Sequence, residues 1–350
     1  MTRRMRAAVL HGREDVRVEL VELLPLEPGE VLLRTRAALT CGTDVKVFRR
    51  GYHARMLKPP ALFGHEIAGI VEEVGPGVEG VRPGERVVVA NSAPCGVCPP
   101  CLDGREGLCD DLLFWNGAYA EFARIPARIV EKNLVPIDPG VDFRMAAMAE
   151  PLACALRGIE QSNVAAGHTV AVIGAGSIGL MLLILARLRG ARVIVVGRNA
   201  GRLAKARELG AHEVIDAGEF ADVAKPLRQR GRGGLGPDVV IEAAGMAETA
   251  EAAIRAVRKG GLVNLFAGWP ADARVALDAL RMHYEELTVT SAFHHTPASF
   301  RTAYRLIADG GVDPAAFITD VAPLDAVPEV LRRMARGGDG LKTAILPWGE

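Results

Sequence analysis

At 350 residues the chain exceeds the length at which one hydrophobic core stops growing, so two domains are expected. Its 42 basic residues balance 42 acidic ones and 49% of its residues are apolar. That composition speaks against disorder and lacks the positive footprint of nucleic-acid or acidic-membrane binders. The longest strongly apolar run, Ile178 to Leu188, is too short to span a bilayer, and Met-Thr-Arg-Arg is not followed by a stretch of signal-peptide type. Four of the six cysteines are clustered, which suits a reducing compartment. The expectation is a cytoplasmic protein whose partners are small molecules, with neither nucleic acid nor membrane among them.

The first third has the grammar of antiparallel β structure. Short apolar runs (Val31 to Leu33, Ile67 to Val74, Arg86 to Ala90) alternate with the turn signals Pro28-Gly29, Gly75-Pro76-Gly77 and Pro83-Gly84. Next come Cys95, Cys98, Cys101 and Cys109, at spacings that let one short loop wrap a tetrahedral metal. Four thiolates leave no coordination position open, so such a zinc is structural. Two disulfides or four buried thiols are the alternatives, but a cysteine does not easily bridge to a neighbour three residues away.

From about Asn163 the pattern changes to apolar runs alternating with helical segments. His168 to Ile173 reads as a strand covered on both faces. A helix over Ser177 to Leu188, a strand over Arg192 to Val196, a charged helix over Arg202 to Leu209, and strands over Asp238 to Glu242 and Gly261 to Phe266 follow. This predicts a doubly wound α/β unit. Arg230 to Pro237 reads as a loop ahead of a strand, with phosphate contact as the lesser alternative. Leu287 to Ser291 alternates like an edge or interface strand. Beyond Ala292 the chain is expected to rejoin the first domain, with amphipathic helices over Ala303 to Asp309 and Val327 to Arg336 and a closing strand over Leu341 to Leu346.

Gly174-Ala175-Gly176-Ser177-Ile178-Gly179 lies directly after the first strand of that unit and opens its helix. The first glycine permits the tight turn, the second lets a pyrophosphate approach the backbone, and the third packs helix on strand. About twenty residues on, an acidic side chain would hold the ribose hydroxyl of NAD. The chain has Gly197, Arg198 and Asn199 there, with Arg202 one turn later. A glycine leaves room for a 2′-phosphate and an arginine binds it with a charge-assisted fork, which favours NADP over NAD. The plain alternative is that both arginines solvate a helix start.

Cys41-Gly-Thr-Asp44, Gly64-His65-Glu66 and Glu150-Pro-Leu152 each carry candidate zinc ligands. Singly, Cys41 reads as a buried thiol, His65 as a core imidazole and Glu150 as an acid at a helix N-terminus. Together with the cysteine loop, Gly117-Ala-Tyr-Ala-Glu121 and the glycine loop, they make the chain resemble the zinc-dependent medium-chain alcohol dehydrogenase family over essentially its whole length. Glu150, where classical members carry cysteine, makes it more similar to the sorbitol (polyol) and threonine dehydrogenase branch.

The resemblance implies a GroES-like β-barrel catalytic domain over 1–154 and 293–350 and a Rossmann nucleotide-binding domain over 155–292. It implies two zinc ions per chain, one structural and one catalytic. Cys41, His65 and Glu150 match the ligands of the catalytic ion, and Glu66 an acid that ligates directly or acts from behind. Thr43 matches the hydroxyl that relays the substrate proton, while Lys46 stands where many relatives place the next relay histidine. The implied reaction moves a hydride between an alcohol and the nicotinamide of NADP or NAD. The aromatic clusters Phe114-Trp115, Trp269-Pro270 and Phe293-His294-His295 would wall a substrate pocket, or else are ordinary packing. A polyol or sugar derivative is the first expectation, a simple secondary alcohol the second, L-threonine the third. The resemblance also implies a homo-oligomer, dimer or tetramer. A non-catalytic zinc module or a zinc-free reductase is the rival of a different class; the metal count separates them.

Overall fold

The turn glycines and apolar runs of the first third fold as antiparallel strands. In a computed structural model that describes residues 3–349, Val31–Leu39 pairs along nearly its whole length with Glu66–Val74, in a register that sets Leu39 opposite Glu66. The sheet runs Leu134–Pro136, Arg86–Val89, Glu66–Val74, Val31–Leu39, Lys342–Leu346, Ile318–Pro323, and Phe122–Ile125 also pairs with Val31–Leu39. A second sheet joins Asp15–Glu22, Arg4–Gly12 and Ala61–Leu62. Leu33, Ile67, Val71, Val89, Ile125 and Phe63 are buried in the core between these elements. These strands belong to one compact unit, Met1–Ala153 with His295–Glu350.

The register positions chemistry. Because Leu39 faces Glu66, the segment Thr40-Cys41 that leaves one strand lies beside Gly64-His65, which enters the next. Ala344 pairs with Leu39, so Lys342, two residues earlier on the same pleat face, comes to the same end of the sheet.

The other unit, Cys154–His294, holds six parallel strands in the order Glu213–Asp216, Arg192–Gly197, Thr169–Ile173, Val239–Glu242, Leu262–Leu265, Thr288–Thr290. All five residues of Thr169–Ile173 are buried, as a strand covered on both faces requires. The strand order reverses between Thr169–Ile173 and Val239–Glu242, and at such a switch point ligands bind beyond the strand C-termini. Thr288–Thr290 lies at one edge, as its alternation predicts, and Glu213–Asp216 at the other.

Two helix starts are corrected, and the loop expected ahead of Val239–Glu242 gains detail. The charged helix starts at Ala200 rather than Arg202, because Asn199 caps it by accepting from the Arg202 amide at 2.8 Å. The helix expected from Ala303 runs Pro297–Ala308, since Pro297 occupies the first helical position, where a missing N–H costs nothing, and Thr296 and Ser299 form a capping box. The stretch 230–237 holds a short 3₁₀ turn, Arg232–Gly234, in which Gly233 and Gly234 take positive φ. No helix among the described residues is long and apolar enough to cross a membrane.

Asp238 ties the parallel sheet together. Its carboxylate accepts from the Thr169 amide and from Arg258 Nε, both at 2.7 Å. Burial works against the charge, but these two donors outweigh it and hold the Asp238 pKa below the usual 3.8. A depressed folded-state pKa stabilises above the unfolded value, and that contribution is lost as pH falls through the folded one. Asp238→Ala is expected to cost roughly 1.5–3 kcal/mol near neutral pH. The gap in thermal midpoint from the unsubstituted protein should narrow below about pH 4; a gap independent of pH would refute the account.

Candidate active site

Cys41 N-caps the helix Gly42–Arg50, its Sγ accepting from the Thr43 amide at 3.4 Å. Asp44, three residues on, completes a capping box by accepting from the Cys41 amide at 2.9 Å. The cap therefore fixes the thiol at a helix N-terminus, where a thiolate is favoured. Donor atoms of Cys41, His65 and Glu66 lie within 4.8 Å of one another. His65 and Glu66 are buried and Cys41 half-buried.

The polar groups behind this trio are fully engaged. His65 Nδ1 lies 3.0 Å from Asp44 Oδ1, and with Nδ1–H donating there, Nε2 keeps its lone pair for a metal. Burial would lower the His65 pKa, but the adjacent Asp44 and Cys41 hold it well above the ordinary value in the metal-free protein. Lys342 Nζ lies 2.6 Å from both oxygens of Glu66 and donates to the Thr40 carbonyl at 2.9 Å. Burial would depress the Lys342 pKa; the charges of Glu66 and Cys41 raise it instead, so the ammonium persists.

Glu150 is not one of the trio. It sits buried in the first turn of the helix Ala149–Gln161, with Oε1 3.9 Å from His295 Nε2. His295 Nε2 is also 3.2 Å from Asn91 Oδ1, and burial pulls its pKa down to about 3, so the ring is neutral. Thr43 is half-buried on the capped helix and Lys46, one turn later, is exposed.

The four cysteines of the loop also converge, all sulfurs within 4.8 Å. Cys98 Sγ lies 3.4 Å from that of Cys101 and 3.8 Å from that of Cys109. Both are far beyond a disulfide bond, and all six cysteines are free, which removes the disulfide reading. Four thiolates 2.3 Å from a tetrahedral centre would stand about 3.8 Å apart, so the spacing fits zinc. The amides of Val97 and Cys98 donate to Cys95 Sγ at 3.5 and 3.4 Å and draw the Cys95 thiol down to about 6. Ser92–Ala93 pairs with Leu113–Phe114 to close the base of the loop.

In the parallel unit, a cavity of about 300 Å³ opens beyond the sheet. Gly174, Ala175, Gly197 and Arg198 line it, together with Asp222 and Arg255, which pair at 3.2 Å. Gly176 N-caps the helix Ser177–Leu188, whose first turn contains Ser177, Ile178 and Gly179. Gly179 admits no side chain, since a Cβ there would stand 1.7 Å from the Gly174 carbonyl oxygen. Asn199 spends its side-chain oxygen capping the next helix, over the Arg202 amide. Asp222 and Arg255 escape sequence reasoning because no motif marks them.

Of the aromatic candidates, Trp115 belongs to the core of the first unit, its indole N–H donating to the Arg124 carbonyl at 2.9 Å, which matches the packing reading. Phe114 is half-buried on its short strand. Trp269 is half-buried, Phe293 is exposed, and His294 takes a left-handed conformation in the second unit. Sequence reasoning also missed the roles of Asp44, Tyr119 and Lys342, and it took His295 only as a pocket-wall or packing residue. A lysine inside the apolar run of Leu341 to Leu346 and an acid three residues after Cys41 were the local signals among them.

Comparison with known proteins agrees with this geometry. The profile of the alcohol dehydrogenase GroES-like domain matches residues 27–137 and that of the zinc-binding dehydrogenase matches residues 177–309. The chain belongs to the zinc-binding alcohol dehydrogenase family, with a GroES-like domain and a Rossmann-type nucleotide-binding domain, and is an NAD(P)-dependent oxidoreductase. It is 32% identical to the L-threonine 3-dehydrogenase of Bacillus velezensis, with 92% of each chain covered. It is 31% identical to the 2-dehydro-3-deoxy-L-galactonate 5-dehydrogenase of Pseudoalteromonas atlantica, covering 97% of this chain and 98% of that one. A zinc-binding dehydrogenase from Sinorhizobium meliloti 1021, solved bound to NADP, superposes with a TM-score of 0.89 at 33% identity, covering 99% and 100% of the two chains.

Proposed function

We propose that this protein interconverts a secondary alcohol of polyol or sugar-like type and its ketone, passing hydride to and from NADP. The observation that carries the reading is the convergence of Cys41, His65 and Glu66 within 4.8 Å of one another, together with a separate convergence of the four loop cysteines. Zinc, when bound, polarises the substrate oxygen and favours loss of its proton, and the nicotinamide accepts or supplies the hydride. Cys41 and His65 would hold that ion. Lys342 already engages both oxygens of Glu66, which leaves Glu150 as the carboxylate ligand in our reading. The four cysteines would hold a second, structural zinc.

Thr43, on the helix that Cys41 caps, would receive the substrate hydroxyl proton. In taking it Thr43 would release its own hydroxyl proton, which would leave either by way of Lys46, exposed one turn on, or through the cofactor's ribose hydroxyls and water. Capping fixes the Thr43 backbone, and only its hydroxyl is free to follow the proton. Phe114, Trp269, Phe293 and His294 remain substrate-wall candidates, whereas Trp115 would act only by packing.

A relative named for a sugar-derived substrate supports the substrate class, while the threonine dehydrogenase relative supports the runner-up. We also read the protein as a cytoplasmic homo-oligomer. The edge strand Thr288–Thr290, with Leu280 and Tyr284 exposed nearby in sequence, supports self-association. Metal analysis combined with a panel of polyols, sugars, secondary alcohols and threonine, each with NADP and NAD, tests the reading. Two zinc per chain and a polyol or sugar among the best substrates are expected; one zinc and no turnover would reject it.

Cofactor preference follows from Gly197 and Arg198. Both line the cavity, and a Cβ at Gly197 would stand 2.9 Å from that of Ala175, so the backbone lies close to the turn. In our reading Arg198 would meet a 2′-phosphate there. Arg198→Ala is expected to remove a charge-assisted bond of about 1.5–3 kcal/mol, weakening NADP roughly 10- to 150-fold with NAD unchanged. Equal weakening of both cofactors, measured by titration, would argue against it.

A further inference from the structure

An imidazole binds metal through either nitrogen, so the group behind it decides which one and where it aims. For His65 that group is Asp44, a buried carboxylate that must itself be held. One oxygen, Oδ1, faces His65 Nδ1; the other accepts from the Cys41 amide at 2.9 Å and from the Tyr119 hydroxyl at 2.6 Å. Tyr119 O also lies 3.1 Å from the Leu39 carbonyl. A phenol has one proton, and the shorter contact to a charged acceptor takes it. Were the proton aimed at Leu39, two lone-pair-bearing oxygens would be left 2.6 Å apart.

Tyr119 is fully buried and rigidly seated. Its amide donates to the Phe63 carbonyl at 2.9 Å, and the amides of Gly117 and Ala118 donate to the Gly64 carbonyl at 2.8 and 3.1 Å. Its ring lies so close over Gly64 that a Cβ there would be 2.8 Å from it. The same side chain therefore covers the backbone that carries His65 and grips the acid that orients the His65 ring.

We propose that the Tyr119 hydroxyl is a positioning group for the metal site. By clamping Asp44 it fixes the tautomer and aim of His65 and sets how tightly the site grips zinc. This rests on the reading of Cys41 and His65 as metal-holding residues. Tyr119 touches neither metal nor substrate in that reading; it acts through Asp44.

The test uses the zinc-loaded full chain and follows release of each zinc to a chromophoric chelator. Tyr119→Phe keeps the ring over Gly64 and removes one oxygen. One of the two zincs is expected to leave about 10-fold faster, the scale typical of groups that orient a ligand. The four-cysteine zinc should leave at its original rate, serving within the same molecule as the control for folding. Asp44→Asn should speed release of the same ion, and adding Tyr119→Phe to it should bring little further change, because the hydroxyl acts through the carboxylate. Unchanged release in Tyr119→Phe, equal acceleration of both zincs, or full additivity with Asp44→Asn would each overturn the inference alone. An unsubstituted protein with one zinc, or a His65→Ala variant that keeps two, would instead overturn the metal-site reading beneath it.

Discussion

His65→Ala is expected to abolish turnover, with kcat down by about three orders of magnitude or more, the scale of losing an electrophile aimed at the reacting oxygen. Titration with NADPH should show cofactor affinity within about twofold of the unsubstituted protein, since Gly174, Gly197 and Arg198 belong to a separately folded unit. Metal analysis should fall from two zinc to one, the survivor being the ion of the cysteine loop. The same alanine leaves Asp44 buried with its histidine partner removed, so a modest loss of thermal stability should accompany the loss of activity. Cys41→Ser is expected to act alike, oxygen being a poorer match than thiolate to a borderline-soft ion. Substantial activity in a His65→Ala protein shown to lack the second zinc would remove that ion from the reaction.

The second large effect concerns stability. Glu66 is 0% exposed and Lys342 3% exposed, and the ammonium lies 2.6 Å from both carboxylate oxygens. Burial pushes the Glu66 carboxyl up to about 8 against the pull of Lys342, and truncating one partner of such a pair costs about 3–5 kcal/mol where the other stays charged. Lys342→Met keeps the stem up to the ammonium, with sulfur in place of one methylene, and removes the charged group and its donors, so little of the penalty should come from cavity formation. The double variant Glu66→Gln, Lys342→Met should regain much of it, because two neutral side chains leave no charge uncompensated. Thermal midpoints of the four proteins, each with measured zinc content, give the coupling. Additive effects of the two substitutions would show that the pair is not the source.

The zinc loop and the glycine loop were legible because both are local. Cys95, Cys98, Cys101 and Cys109 close over one short segment, and Gly174 to Gly179 form a single strand-turn-helix. The doubly wound class was legible from alternation alone, whereas the short strand Glu213–Asp216 was not. The support of Cys41 and His65 was not, because it comes from far along the chain: Tyr119 reaches Asp44 across 75 positions and Lys342 reaches Glu66 across 276. Asp44 left a trace, standing three residues after Cys41 as a capping box does, but nothing local shows that its second oxygen meets a tyrosine. Helix starts were misjudged for a related reason. Pro297 reads as a breaker and Arg202 as the first charged helical residue, whereas the caps Thr296 and Asn199 decide where those helices begin.

That Lys342 lies beyond the whole dinucleotide unit in sequence has a consequence for biogenesis. A ribosome adding about 5–20 residues per second makes the lysine on the order of tens of seconds after Glu66. Through that interval the nascent first half has its acid and its thiol but neither Lys342 nor the strand that carries it, so its sheet is expected to stay unfinished while the inserted half is made and can fold ahead of it. Newly made chains should therefore be most vulnerable to proteases and most in need of chaperones just before the strand Lys342–Leu346 clears the exit tunnel, and ribosome stalling there should be felt at the metal pocket rather than at the nucleotide fold.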